Sequence, residues 1–169
     1  MPATLESADA EVADGLTMRI SVSAGGLRAI HFDATGAVAD AAPHNPLLAE
    51  AIAQLRAYFA GRLREFQLPL DLAGTEFQVL VWRELLTIPY GETRSYSAVA
   101  QAIGRPAAVR AVGAANGANP IPIVVPCHRV IGADRKLVGY GGGLPLKKRL
   151  LELEGFGETL LPLTGYTPK

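Results

Sequence analysis

The chain has one cysteine, Cys127, so no disulfide within it can stand in for a packed core. A cysteine-rich zinc site is excluded on the same ground, because such sites take several thiolates. The fold must therefore rest on buried apolar side chains. With 49% hydrophobic and 19% charged residues, the composition suits a globular protein, not a disordered one. Its 169 residues suffice for one ordinary domain or for two small lobes sharing a core. A lone cysteine is most often a small buried hydrophobe. What Cys127 does depends on its neighbours.

No apolar run approaches the roughly 20 residues that span a bilayer. Met1 to Asp14 carries four acids and no Lys or Arg, the opposite of a secretory leader. The expectation is a cytoplasmic protein. The net charge is zero but unevenly spread. Residues 1–90 hold six Lys/Arg against eleven Asp/Glu. Residues 91–150 hold nine (Arg94, Arg105, Arg110, Arg129, Arg135, Lys136, Lys147, Lys148 and Arg149) against two, Glu92 and Asp134. This basic stretch is either a phosphate-facing surface or a scatter of solubilising charges.

Residues 16–23 and 27–33 are short runs rich in β-branched and apolar side chains. Ala24-Gly25-Gly26 separates them, and together they read as a hairpin. Residues 46–60 carry apolar side chains at helical spacing, with Pro46 near the start and Gly61 past the end. Residues 66–72 read as extended, with Pro69 suited only to an edge strand. The expected fold class is α+β. A small lobe of antiparallel sheet and helix spans residues 1–73, and nothing in it suggests chemistry; His31 and His44 are isolated.

A mostly helical second lobe is expected over residues 74–169. Thr75 and Gln78 form a capping-box signature for a helix to about Leu86, burying Phe77, Leu80, Val81, Trp82 and Leu85. Ser95 caps a helix from Tyr96 to Ile103, and Gly104 stops it. Pro106 suits the first position of a third helix, about Ala107 to Asn116. Two short helices joined by a three- or four-residue turn with glycine make a helix-turn-helix, or equally an αα-hairpin with no part in DNA binding. The later of the two is bare: Ala107, Ala108, Ala111, Gly113, Ala114 and Ala115 surround a single charge, Arg110. Such a face fits closely against a neighbouring helix or a DNA groove.

Three prolines forbid a helix over residues 119–126, and Ile123-Val124-Val125 reads as a buried extended segment leading to Cys127. A glycine-rich loop, Gly139 to Gly143, precedes a last helix from about Pro145 to Glu154. Cys127 and His128 are adjacent. An ordinary thiol is only a few per cent thiolate at neutral pH, and an imidazole can supply the missing base. Neighbours on an extended chain point to opposite sides, so contact needs a turn or a water relay. His128 would also need an acceptor to orient it, for which Glu152 and Glu154 are candidates.

Several short stretches share one resemblance. Gly91-Glu92, Ser95-Tyr96, Arg110-Ala111-Val112-Gly113, Asn119-Pro120, Pro126-Cys127-His128-Arg129-Val130, Gly139-Tyr140 and Glu154-Gly155 resemble the O6-alkylguanine-DNA alkyltransferases, or methylated-DNA–protein-cysteine methyltransferases. The likeness covers roughly residues 74–155; the first lobe resembles the family only in layout. It implies direct-reversal repair of double-stranded DNA containing alkylated guanine. The alkyl group of O6-alkylguanine, and of O4-alkylthymine, would pass irreversibly to Cys127, once per molecule. The protein would act as a monomer and without a cofactor. A helix-turn-helix would dock in the minor groove, and the damaged base would be flipped out of the stack.

By position, the resemblance assigns the family's intercalating arginine to Arg110, on a DNA-facing helix with Ala111 and Gly113. The tyrosine that assists proton transfer to the leaving guanine and rotates the phosphate is Tyr96. The asparagine that braces the active-site turn is Asn119. The acceptor is Cys127, its water-linked activator His128, and the glutamate orienting that histidine Glu154. Backbone groups at Cys127 and Val130 would read the guanine edge, and Tyr140 would wall the pocket. Some members place a serine where this chain has Gly141, so a hydroxyl contact to the base would be absent while the Gly141 N–H remains. A loop this rich in glycine would admit bulkier alkyl groups. The metal-ligand cysteines of some relatives are missing, and no zinc is expected. Two other readings remain. A lesion-binding relative without catalysis would lack the cysteine. A cysteine hydrolase would need an oxyanion hole that the sequence does not place.

Overall fold

The computed structural model describes residues 4–32, 34, 44–134, 137 and 139–156. The chain divides into two compact units, Met1–Ala73 and Gly74–Lys169. No helix among the described residues is long and apolar enough to cross a membrane.

In the first unit β1 (Glu6–Ala13), β2 (Leu16–Ser23) and β3 (Gly26–His31) form an antiparallel sheet in that order. Helix α1 (Pro46–Phe59) packs on it. The sequence reading contains no strand at β1. Its acids hide an alternation in which Ala10 and Val12 are buried, while Asp9 sits opposite Arg19 and pairs with it at 2.7 Å. Cross-strand pairs of this kind stabilise a sheet edge. Strand β3 begins at Gly26 itself, which was expected in the turn. Gly26 has φ +141, and a Cβ there would lie 2.5 Å from the Pro69 carbonyl oxygen. That close approach lets Leu27 N–H donate to Pro69 O (2.8 Å) and Asp71 N–H to Leu27 O (2.9 Å). Residues 69–71 thus line the sheet edge, where the missing Pro69 N–H costs nothing. From α1, the buried Gln54 fastens the same segment, exchanging hydrogen bonds with both backbone groups of Gln67 (2.9 and 3.1 Å).

The second unit starts at α2 (Glu76–Leu85). Its capping box is formed: Gln78 N–H donates to Thr75 Oγ1 at 3.1 Å, and Thr75 N–H to Gln78 Oε1 at 2.9 Å. Val81, Trp82 and Leu85 are buried, but Leu80 is exposed and Phe77 only half-buried, contrary to expectation. The indole sets the helix rotation: Trp82 Nε1–H donates to Ala115 O at 2.8 Å, which turns Leu80 outward.

Helices α3 (Tyr96–Ala102) and α4 (Val109–Gly117) pack on one another and on α2. Ser95 caps α3, accepting from Ala98 N–H at 3.0 Å. The link between them, residues 103–108, is longer than the expected three or four residues, because α4 begins at Val109 and not at Ala107. Ala108 N–H donates to Arg105 O at 2.9 Å. Pro106 is therefore the second residue of a tight turn, a position its fixed φ suits as well as a helix start. Two-residue strands β4 (Arg94–Ser95) and β5 (Val130–Ile131) pair in parallel, Arg94 with Val130 and Ser95 with Ile131. Helix α5 (Leu144–Leu153) directs Lys147, Leu150 and Leu151 inward.

Candidate active site

The site is built on a turn that the sequence does not announce. Ile123, Val124 and Val125 are buried, as expected, and so is Ile121, but the segment is not extended. Val125 N–H donates to Ile121 O at 2.9 Å, and Ile123 sits at φ +75, a costly conformation for a β-branched residue. Asn119 holds it there. Its Oδ1 accepts from Ile121 N–H (3.0 Å) and its Nδ2 donates to Val125 O (2.8 Å), so one side chain closes both limbs of the loop. Prolines 120, 122 and 126 offer no N–H for a strand ladder, and the side-chain amide takes over.

The chain then enters a single 3-10 turn, Cys127–Arg129, and leaves it as β5. Pairing of β5 with β4 brings Tyr96, the first residue of α3, to the same neighbourhood. Cys127 is buried, and burial pushes its thiol up to about 11. The Asn119 hydrogen bond, the Lys147 charge and the backbone N–H groups of Cys127 and His128 pull the other way.

His128 is fully buried, and its Nε2 lies 2.8 Å from Glu154 Oε1. Arg129 grips the same carboxylate with two further bonds of 2.9 Å and donates to Ile88 O at 2.7 Å. Burial acts to raise the Glu154 carboxyl, but the bonds and charges of His128 and Arg129 outweigh it and hold it at about 2. For His128, burial lowers the pKa against the pull of Glu154. Burial thus favours the neutral ring. A carboxylate can only accept, so the proton is on Nε2 and the lone pair on Nδ1. Nδ1 is buried with no hydrogen-bond partner among the described residues.

A cavity of about 450 Å³ is lined by Tyr96, Gly113, Asn116, Tyr140 and Gly141, among others. Cys127 is joined to this wall through Asn116, whose Nδ2 donates to the Cys127 carbonyl at 3.3 Å. Burial raises the Tyr96 hydroxyl, with the Cys127 charge adding to it. A side chain at Gly141 would meet nothing within 4 Å. Val130 is fully buried, its N–H donating to Cys127 O and its carbonyl accepting from Lys147 Nζ. Arg110, Ala111, Ala114 and Gly117 share the exposed face of α4.

The basic stretch is not one surface. Arg129 and Lys147 are buried, Arg94 pairs with Glu84 at 3.0 Å and Lys148 with Glu152 at 2.7 Å. Arg135 and Lys136 lie outside the described residues. Burial, not position along the chain, decides which of these charges face solvent. Two site residues were missed. Lys147 is a buried ammonium that donates to Val130 O (2.7 Å) and Gly139 O (3.5 Å), 6.0 Å from the Tyr96 ring centre. Burial lowers it to about 8, opposed by the Cys127 charge. Its spacing from Leu150, Leu151 and Glu154 was the available signal: it shares their helical face. Asn116 was missed in the same way, on the buried face with Val112 and Ala115. Among the described residues no three His, Cys, Asp or Glu gather as a metal-ligand set.

Comparison with known proteins decides the family. Residues 20–72 match the family of the 6-O-methylguanine DNA methyltransferase ribonuclease-like domain. Residues 76–156 match that of the 6-O-methylguanine DNA methyltransferase DNA-binding domain. A methylated-DNA–protein-cysteine methyltransferase of Mycobacterium leprae is 65% identical over 112 residues, 66% of this chain and 68% of that protein. The chain belongs to the methylated-DNA–protein-cysteine methyltransferase family. The Mycobacterium tuberculosis H37Rv member is 67% identical over 104 residues, 62% of this chain and 63% of its own length. Solved members share the fold. The M. tuberculosis O6-methylguanine methyltransferase superposes with a TM-score of 0.78 at 44% identity, covering 94% of this chain and 96% of that one. An M. tuberculosis OGT in complex with DNA has a TM-score of 0.74 at 49% identity, covering 89% and 91%. The mixed α/β fold expected from the sequence is the fold of this family.

Proposed function

We propose that this protein repairs double-stranded DNA by transferring the alkyl group of O6-alkylguanine, and of O4-alkylthymine, to Cys127. The observation that carries the reading is the buried His128, held at Nε2 by Glu154, with Nδ1 unpartnered among the described residues and with the chain's one cysteine next to it in sequence. The Cys127 proton passes to Nδ1 through a bridging water, and the imidazolium is stabilised by Glu154. The thiolate sulfur attacks the alkyl carbon in line. A sulfur–carbon bond forms as the carbon–O6 bond breaks, and guanine leaves with the electron pair. Tyr96 protonates the leaving base and recovers its proton from His128 through solvent, so the thiol proton ends on guanine. The product is a thioether that no residue of the site can reverse, and the protein acts once.

Helices α3 and α4 serve as a helix-turn-helix set in the minor groove. The bare face of α4 supports this, with Arg110 entering the stack in place of the flipped base and Tyr96 turning its phosphate. Ala111 and Gly113 let the backbone approach the DNA. Asn119 braces the turn, while Tyr140 and the Gly141 N–H border the base. All these groups come from one chain, which suits a monomer. A free reactive thiol suits a reducing compartment, the cytoplasm.

Intact mass after mixing with O6-methylguanine DNA tests the reading. One added methylene mass per protein, lost in Cys127→Ala, is expected. An unchanged wild-type mass would refute the transfer, and repeated turnover would refute the single use.

A further inference from the structure

Helix α5 ends beside the residue that orients His128, and helix ends fray unless their last carbonyls find donors. Glu154 follows the last helical residue, Leu153. The Leu153 carbonyl takes a hydrogen bond from the Tyr90 hydroxyl at 3.1 Å. Tyr90 is the second residue of a tight turn, Pro89 to Glu92, closed by Glu92 N–H donating to Pro89 O at 3.1 Å. Gly91 stands third at φ +81, the conformation this turn demands of its third residue. A Cβ at Gly91 would lie 3.4 Å from the Glu154 carbonyl oxygen, so the turn rests against the end of α5. The same segment also holds Arg129. Ile88 O accepts from Arg129 Nη1 at 2.7 Å, and the Arg129 guanidinium carbon lies 5.7 Å from the centre of the Tyr90 ring, within cation–π range. Arg129 in turn bonds both oxygens of Glu154. Tyr90 thus meets the helix end with its hydroxyl and the guanidinium with its ring.

We propose that Tyr90 is a positioning residue for the transfer reaction: its hydroxyl caps α5 and its ring seats Arg129, so that the Glu154 carboxylate meets His128 Nε2. A carboxylate one residue beyond a helix has little of the helix's rigidity to place it. A displacement of roughly 1 Å would stretch the 2.8 Å contact with His128 beyond hydrogen-bond range. Phenylalanine at this position would keep the ring and lose the cap; leucine would lose both. Tyr90 acts through Glu154 and Arg129, not on the base. The inference rests on the alkyl-transfer reading above, in which His128 activates Cys127.

The test follows the proton NMR signal of His128 Nε2–H, with single-turnover transfer from O6-methylguanine DNA, in Tyr90→Phe and Tyr90→Leu. A proton held by a buried carboxylate resonates far downfield, and a longer bond moves it upfield. The signal should move upfield in both variants, further in Tyr90→Leu. Transfer should slow about threefold in Tyr90→Phe and about tenfold in Tyr90→Leu, toward the lower end of what one neutral hydrogen bond, and that bond with a cation–π contact, contribute. A folded Tyr90→Leu protein with its His128 signal at the wild-type position overturns the proposal, even if it unfolds more easily, because a loss of stability alone does not move that signal. A moved signal with an unchanged transfer rate overturns it as well. Should Tyr90→Leu fail to fold, an unmoved signal in Tyr90→Phe overturns it. Failure of the wild-type protein to take a methyl group from the DNA would instead overturn the alkyl-transfer reading, and the His128 signal would still decide whether Tyr90 places Glu154.

Discussion

On one side of the Cys127–Arg129 turn, His128, Arg129 and Glu154 match one another charge for charge and bond for bond, deep in the protein. On the other side, toward the cavity, Cys127 is pushed up by burial, Tyr96 likewise, and Asn116 Oδ1 has no partner among the described residues. The matched side holds its geometry whether or not anything is bound. The unmatched side is completed by what enters. A rigid frame next to groups shifted by burial is how a site is preorganised for a reaction.

The largest effect should come from breaking the matched side. Glu154→Gln leaves the buried Arg129 without its counter-charge and should cost about 3–5 kcal/mol in denaturant unfolding. It should also slow Cys127 alkylation by a free base, O6-benzylguanine, by tenfold or more. Normal reactivity would reduce Glu154 to a helix-end residue.

The same frame sets an acid limit. The Glu154 carboxyl is held at about 2, below its unfolded value of about 4.3, so its stabilisation is complete above pH 4.3 and is lost as pH falls toward 2. His128 is depressed too, so the unfolded chain takes up that proton first and stability starts to fall below about pH 6.5. Unfolding followed from pH 8 to pH 2 should show both windows. A stability flat below pH 6.5 would contradict the neutral histidine.

Changes on the unmatched side should affect rate and spare stability. Tyr96→Phe should slow transfer by about 100-fold, with little change in DNA affinity, since only proton donation to the leaving base is lost. Equal losses in affinity and rate would point to packing instead. Arg110→Ala should slow repair in duplex DNA by about tenfold, in line with an unstacking cost of a few kcal/mol. It should leave reaction with the free base unchanged, because Arg110 lies on the exposed face of α4. A smaller effect is expected at Gly141. Serine fits there without a clash, so Gly141→Ser should leave stability within about 0.5 kcal/mol and lower only the transfer of benzyl relative to methyl groups.

What the sequence disclosed depended on how local the cause was. Thr75 with Gln78, and Ser95 before α3, could be read because a cap needs only residues three apart. Cys127, His128 and Glu154 could be named through their family pattern, and the structure joins His128 to Glu154. The turn at Ile121–Val125 was hidden because Asn119 reaches across it to bond both limbs. Strands β4 and β5 were too short to leave an alternation. Pro106 had two favoured positions, and the closing bond from Ala108 to Arg105 selects the turn. Arg129 and Lys147 read as surface charges because burial is decided by distant partners, Glu154 and the Val130 carbonyl.

The central claim is that burial keeps His128 neutral against the pull of Glu154, while the bond to Glu154 holds the proton on Nε2 and leaves the lone pair on Nδ1. Nitrogen-15 NMR of the His128 ring in unmodified protein, from pH 6 to pH 8, measures this directly. The expected result is one neutral Nε2–H form across the range. A ring that titrates near pH 6.5, or carries its proton on Nδ1, would contradict the account.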